Sequence, residues 1–183
     1  MSRNSVPDVT EPLRCARRSA VHRETRDLYG TGDEAGVTEP CTRTGGNTPD
    51  PSVSSRPGRP RTVGESPSRG VVTRRARIVS EPVTDYIRWE HAVTAPNLDA
   101  GEQARWLPGR RTSDIALPGN DFRLLAARLT VLPFSTFSAS FTGDGGRADP
   151  AFEITGGPAA VRLCTSACEA VRERGVSHET YSV

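Results

Sequence analysis

The sequence predicts an α+β fold: a small antiparallel sheet with a C-terminal helix packed on it, preceded by a partly disordered N-terminal region. Three observations lead there. Leu, Ile, Val and Phe number 8 in residues 1–70 and 27 in residues 71–183. Residues 40–70 hold 16 Pro, Gly and Ser in 31 positions. The best-bracketed helical pattern, between Pro158 and Gly175, closes the chain. An apolar share near 11% in the first part lies below the roughly 20% at which chains struggle to offset their ordering entropy. The core must therefore come from residues 71–183, enough for one modest domain.

Taken in order, residues 1–33 read as a tail with one weak helix at about 12–29. Leu13, Ala16, Ala20, Val21 and Leu28 roughly share a face there, and Gly30 would end the helix. So thin a stripe needs a docking partner to be stable. Residues 34–70 read as a Pro/Gly/Ser-rich disordered linker, rich in turn chemistry such as Arg-Pro-Gly-Arg-Pro. Val71–Val79 reads as a strand with Val72, Arg74, Ala76 and Ile78 on one face, ended by Glu81-Pro82. Val83–Glu90 fits a strand or a short helix. Helix is favoured because Ser80 or Thr84 can cap it. Residues 95–101 read as a loop.

Gln103–Leu107 is a short strand with Ala104 and Trp106 to one side, and Asp114–Leu117 another short apolar piece. Phe122–Leu125 and Arg128–Leu132 read as strands, and Gly143-Asp144-Gly145-Gly146 as a turn. Ala159–Arg174 is the clearest helix. Ala160, Val161, Cys164, Ala167, Cys168 and Val171 form its apolar face, while Arg162, Glu169, Arg172, Glu173 and Arg174 cover the other.

All 24 basic residues are Arg, a bias expected of a GC-rich coding sequence and not by itself a sign of nucleic-acid affinity. The net charge is +2, split into +5 over residues 1–80 and −3 over residues 81–183. A basic excess this small, without aromatics to stack on bases, argues against tight DNA binding. No apolar run reaches the roughly 18 residues of a membrane span, and the start lacks the apolar stretch of a signal peptide. The expected location is cytoplasmic. Four cysteines, Cys15, Cys41, Cys164 and Cys168, do not suggest a secreted disulfide framework.

Candidate chemistry is sparse. Cys164 and Cys168 share one helix face and could form half a zinc site, but His22, His91 and His178 show no ligand spacing. Buried thiols acting as small hydrophobes are the simpler account. Glu81, Asp85, Glu90, Glu102, Asp114 and Asp121 run close in sequence to Arg88, Arg105, Arg110 and Arg111. Two of these carboxylates converging on a metal or water would suit a hydrolase or nuclease. Their alternation with Arg suits surface ion pairs equally well. The Gly143–Gly146 stretch lacks the Lys of a phosphate loop, and no dinucleotide fingerprint or nucleophile elbow is present. No catalytic residue, metal or cofactor is therefore assigned.

Arg77-Ile78-Val79-Ser80-Glu81-Pro82-Val83-Thr84-Asp85-Tyr86-Ile87-Arg88-Trp89-Glu90 is the most distinctive block. Asn97–Pro108, Pro118–Phe122 and Val161 to Tyr181 follow it. Together these segments resemble an uncharacterised actinobacterial family, domain of unknown function 6879. Val21–Tyr29 resembles that family's first helix more weakly. The chain departs from the pattern at Arg123, Ala126, Ala127, Gly156-Gly157, Cys168 and Arg172. The resemblance implies no activity and no catalytic residue. By association alone it points to a helix-turn-helix regulator as partner.

The functional expectation is a non-enzymatic interaction or regulatory accessory protein, with Glu81, Asp85, Arg88, Glu102 and Arg105 as its interaction surface. The rival is a small hydrolase or nuclease-like enzyme acting on a phosphorylated or nucleic-acid substrate through Asp85, Glu102 and Asp121.

Overall fold

Ser19–Glu24 forms a strand, β1, at the centre of a seven-stranded mixed sheet. The computed structural model describes residue 16 and residues 18–28, 59–126, 134–141 and 147–183. After β1 come helix α1 (Arg59–Ser68), β2 (Val72–Val79), α2 (Asp85–Ala92), α3 (Ala95–Asp99) and β3 (Gln103–Pro108). A 3-10 turn (Gly109–Arg111), β4 (Asp121–Ala126), β5 (Phe134–Phe141), β6 (Arg147–Thr155), α4 (Pro158–Arg174) and β7 (Val176–Ser177) follow. The strand order is β6-β5-β4-β1-β2-β3-β7. β1, β2 and β3 run parallel, and the other neighbours pair antiparallel.

The α+β class stands, but the sheet is neither small nor wholly antiparallel. Parallel neighbours need crossover connections, and here α1 links β1 to β2 while α2 and α3 link β2 to β3. Parallel strands are covered on both faces, and β2 shows it: Thr73 and Arg75 through Val79 are all buried. The expected helix over residues 12–29 is corrected at Ser19–Glu24. Its thin stripe cannot hold a helix to a core, whereas alternation in a strand buries Val21 and Arg23 on one face and Glu24 on the other.

The linker expectation falls mostly outside the described residues, over 34–58. At Arg59–Ser68 it is corrected to a helix. Pro60 is tolerated in a first turn. The far end docks on α3, where Pro67 Cγ lies 3.4 Å from the position a Gly101 Cβ would occupy. The folded unit consequently includes β1 and α1, not residues 71–183 alone.

Two layers flank the sheet. On its front face, α2 packs Tyr86, Ile87 and Trp89 against Val79 of β2 and Trp106 of β3. Thr84 caps α2, its Oγ1 accepting from the Ile87 amide at 3.2 Å. On the back face, α4 lays Cys164 and Cys168 against Val21, Phe122 and Leu124. Val171 of α4 meets Ala76, Ile78 and Leu107. These are the stripe positions read from the sequence, with Val161 at its half-buried end. Burying each aliphatic side chain contributes about 1.5–3 kcal/mol.

Gly175 ends α4 in extended backbone; a Cβ there would meet the Val171 carbonyl oxygen at 2.9 Å. Residues 95–101 contain the short helix α3 where a loop was expected. Ile115 and Leu117 pack on the Val171 cluster. The expected strand over 128–132 and turn over 143–146 lie outside the described residues.

Candidate functional site

Strand alternation places Glu24, Arg75 and Arg77 on the front face, opposite Val21, Ala76 and Ile78 on the back face of the same strands. α2 adds Tyr86 and Glu90, and the residue before β3 adds Glu102. Arg77 Nη1 donates to Glu24 Oε2 at 3.0 Å and to Glu90 Oε2 at 3.3 Å. Arg75 Nη2 donates to Glu102 Oε2 at 3.2 Å, and Arg75 Nη1 to Glu24 Oε2 at 3.4 Å. Tyr86 donates its hydroxyl to Glu90 Oε1 at 3.0 Å. The Arg77 guanidinium also lies 5.8 Å from the centre of the Trp106 ring.

All five ionic side chains are buried. Burial alone would pull the Arg75 guanidinium down. The carboxylates of Glu102, Glu24 and Glu90 together outweigh it and hold Arg75 above the ordinary arginine value. His22 stands at the edge of this cluster, its Nδ1 3.3 Å from Glu24 Oε1. A general base must reach a substrate proton. Glu24, Glu90 and Glu102 instead face guanidiniums in the interior, so the arrangement ties β1, β2, α2 and the start of β3 together.

Beside it sits an aromatic stack. The rings of His91 and His178 lie parallel at 3.9 Å, and Tyr181 stacks on Trp106 at 5.8 Å. Trp106 donates Nε1–H to His178 Nδ1 at 3.2 Å, which requires that nitrogen to be unprotonated. Burial, and then His91 above it, push His178 down to about 4. His91 is lowered too, chiefly by burial. Two neutral imidazoles can stack where two imidazoliums would repel.

The five expected surface residues separate. Glu81 and Asp85 are exposed at the carboxyl end of β2 and the start of α2, and Arg88 lies one turn along α2. Glu81 accepts from Arg110 Nε at 2.7 Å, and Arg88 Nε lies 3.7 Å from Asp85 Oδ1. The Tyr181 hydroxyl is raised by burial and then by Glu81, with Arg110 opposing, and its ring packs on the front core beside Trp106. Glu102 is not on that rim; it is in the interior against Arg75. Arg105 projects to the back, where its Nη1 donates to the carbonyls of Arg172 at 2.9 Å and Gly175 at 3.2 Å. There it satisfies the C-terminal end of α4.

The rival trio does not assemble either. Asp85 stays at the surface beside Arg88 and Glu102 is inside with Arg75. Asp121 on β4 accepts from both the amide and the hydroxyl of Thr25 at 2.9 Å. Among the described residues, no three His, Cys, Asp or Glu side chains are placed to hold a metal. Cys164 and Cys168 are buried and form no disulfide. Burial pushes the Cys168 thiol up to about 12, which leaves it protonated and unreactive at neutral pH. No described helix is long and apolar enough to cross a membrane.

Sequence reasoning missed Arg75, Arg77 and Glu24 as a group, because the charges lie about fifty positions apart. The available signal was two Arg at alternate positions of an otherwise apolar strand.

No curated protein and no solved structure matches the chain. A family model does, over residues 7–183, described as a domain of unknown function. With nearly the whole length matched, the chain belongs to the domain of unknown function 6879 family (DUF6879).

Proposed function

We propose that this protein is a non-enzymatic interaction protein, a regulatory accessory that docks a protein partner on the rim formed by Glu81, Asp85, Arg88, Arg110 and Tyr181. The carrying observation is how the charges divide. The interior carboxylates are committed to Arg75 and Arg77. The exposed charges Glu81 and Asp85 flank Val83 in the chain, and Val83 and Tyr181 both pack on the front core. A rigid, partly apolar centre with a mixed-charge border is the usual anatomy of a protein interface. The carboxyl ends of parallel strands are also where open sheets of this kind present binding surfaces. The resemblance to the family nominates a helix-turn-helix regulator as partner.

The test is co-elution of the purified chain with such a regulator on size exclusion. The parent should shift to the complex. The doubly reversed Asp85→Arg, Arg88→Glu variant should not, and Arg162→Glu on the outer face of α4 should behave as the parent. A complex that forms equally with the doubly reversed variant removes the rim from consideration.

A further inference from the structure

On the back face a groove of about 290 Å³ opens between α4 and the sheet. Val21, Leu124 and Cys168 contribute its apolar lining, and Arg74 and Arg172 its cationic side. Both guanidiniums turn toward one neutral residue. Arg74 Nε donates to Gln103 Oε1 at 3.4 Å, and Arg172 donates to the Gln103 carbonyl and to Oε1, each at 3.4 Å. Arg105, two residues along β3, bonds only backbone carbonyls. Among the described residues, none of the three forms an ion pair with a carboxylate. The Arg172 guanidinium is lowered by burial and then by Arg74 and Arg105, as like charges in one place require.

The front face of the same sheet treats arginines oppositely, placing a carboxylate within 3.4 Å of both Arg75 and Arg77. Three guanidiniums held by neutral acceptors beside an open groove leave an electrostatic repulsion that a bound anion would offset. The other rim limits which anion. Glu169 and Glu173 also line the groove, and both are exposed on α4. They oppose a second negative charge.

We infer that this groove binds a small organic oxyanion carrying an apolar body. Its singly charged carboxylate head would lie on Arg74 and Arg172, and its hydrocarbon part along Val21, Leu124 and Cys168. The site lies on the face opposite the Tyr181 rim and does not depend on the partner proposed for it. With Arg105 counted, three arginines stand against two glutamates, so singly charged heads are favoured over polyanions. The apolar lining adds area burial that inorganic ions cannot use.

The test is calorimetric titration of the full chain with hexanoate, hexyl phosphate, inorganic pyrophosphate and hexylammonium. Hexanoate should saturate one site at millimolar concentration or below, and should bind more tightly than hexyl phosphate or pyrophosphate, which carry more than one negative charge at neutral pH. Binding should weaken as salt rises. Arg74→Gln and Arg172→Gln should each weaken binding about tenfold or more, in line with the loss of one charge-assisted contact. Glu169→Gln, on the exposed face, should tighten it; this variant keeps the test decisive if an arginine variant fails to fold. Absence of saturable binding by hexanoate overturns the inference, as does tighter binding of hexyl phosphate. So does hexylammonium binding more tightly than hexanoate, or unchanged affinity in a folded Arg74→Gln chain.

Discussion

Glu24 and Arg77 face each other across the parallel pairing of β1 and β2, carboxylate to guanidinium at 3.0 Å, both buried. A buried pair of this kind is weak evidence of net stabilisation, because taking both charges out of water offsets most of their attraction. Removing one partner is a different matter, since the remaining charges stay buried. Arg77→Met takes away a guanidinium that both Glu24 and Glu90 face in the interior and should cost about 3–5 kcal/mol. Arg110→Met, which breaks the exposed pair with Glu81, should cost about 1 kcal/mol or less. Urea denaturation of the two variants beside the parent checks the contrast. Equal losses would mean that the front-face cluster is not what joins β1 to β2.

His178 supplies a pH dependence. Its folded pKa of about 4 lies below the roughly 6.5 of an unfolded histidine. Between those values the unfolded chain binds the extra proton. Stability from the neutral, stacked imidazole is therefore complete above about pH 6.5 and is lost as pH falls toward 4. The parent's Tm should fall between pH 7 and pH 5. A His178→Gln variant, with no imidazole to protonate at that position, should show a shallower fall, although its Tm at pH 7 is lower. Parallel Tm profiles for the two chains would assign the acid sensitivity elsewhere.

α4 is held by its stripe. Val171 is fully buried among Ala76, Ile78 and Leu107. Val171→Asp would bury an unpaired carboxylate at a cost of several kcal/mol, against a total stability of about 5–15 kcal/mol for a small domain. The cooperative melt should disappear. Glu169→Ala, on the exposed side, should change stability by no more than about 0.5 kcal/mol. Thermal melts of both variants decide it, and a parent-like melt of Val171→Asp would detach α4 from the sheet.

α4 was legible because Pro158 and Gly175 bracket it and its apolar residues recur at spacings of three and four. β2 and β3 were legible from alternation, and α2 from the cap at Thr84. β1 was not, because two of its buried positions are Arg23 and Glu24. A hydrophobic pattern counts such residues as exposed until their partners are known. The partners are distant: Arg77 for Glu24, and for Arg23 the carbonyls of Pro118 at 3.0 Å and of Asn120, with the Phe122 ring 4.9 Å below. α1 was hidden by Pro60 and Pro67, residues of linker composition, and the approach of Pro67 to Gly101 just past α3 is a tertiary contact. The expected surface was half legible for the same reason. Glu102 and Arg105 are three positions apart in sequence, yet the start of β3 turns one into the front core and the other under α4.

The placement of β1 carries the sharpest consequence for the chain as a folding unit. β1 pairs with β2 from Ser19↔Val72 to Glu24↔Arg77, and with β4 from Ala20↔Leu125 to Arg23↔Phe122. Nothing else joins β4 to β2 in the sheet order. Without β1 the sheet separates into β6-β5-β4 and β2-β3-β7, each with a raw edge. Val21 leaves the cluster of Phe122, Leu124, Cys164 and Cys168, and Arg77 loses Glu24. A chain beginning at Arg59 keeps α1 and every later element, so any loss reports on the missing N-terminal segment. It should show no cooperative thermal transition by circular dichroism, while the full chain shows one. A synthetic peptide spanning residues 16–28, added in excess, should restore a transition whose midpoint rises with peptide concentration, as mass action requires of a segment that binds only the folded state. If the shortened chain melts cooperatively at the parent's Tm without the peptide, β1 is an accessory strand and residues 71–183 with α1 are the self-sufficient domain.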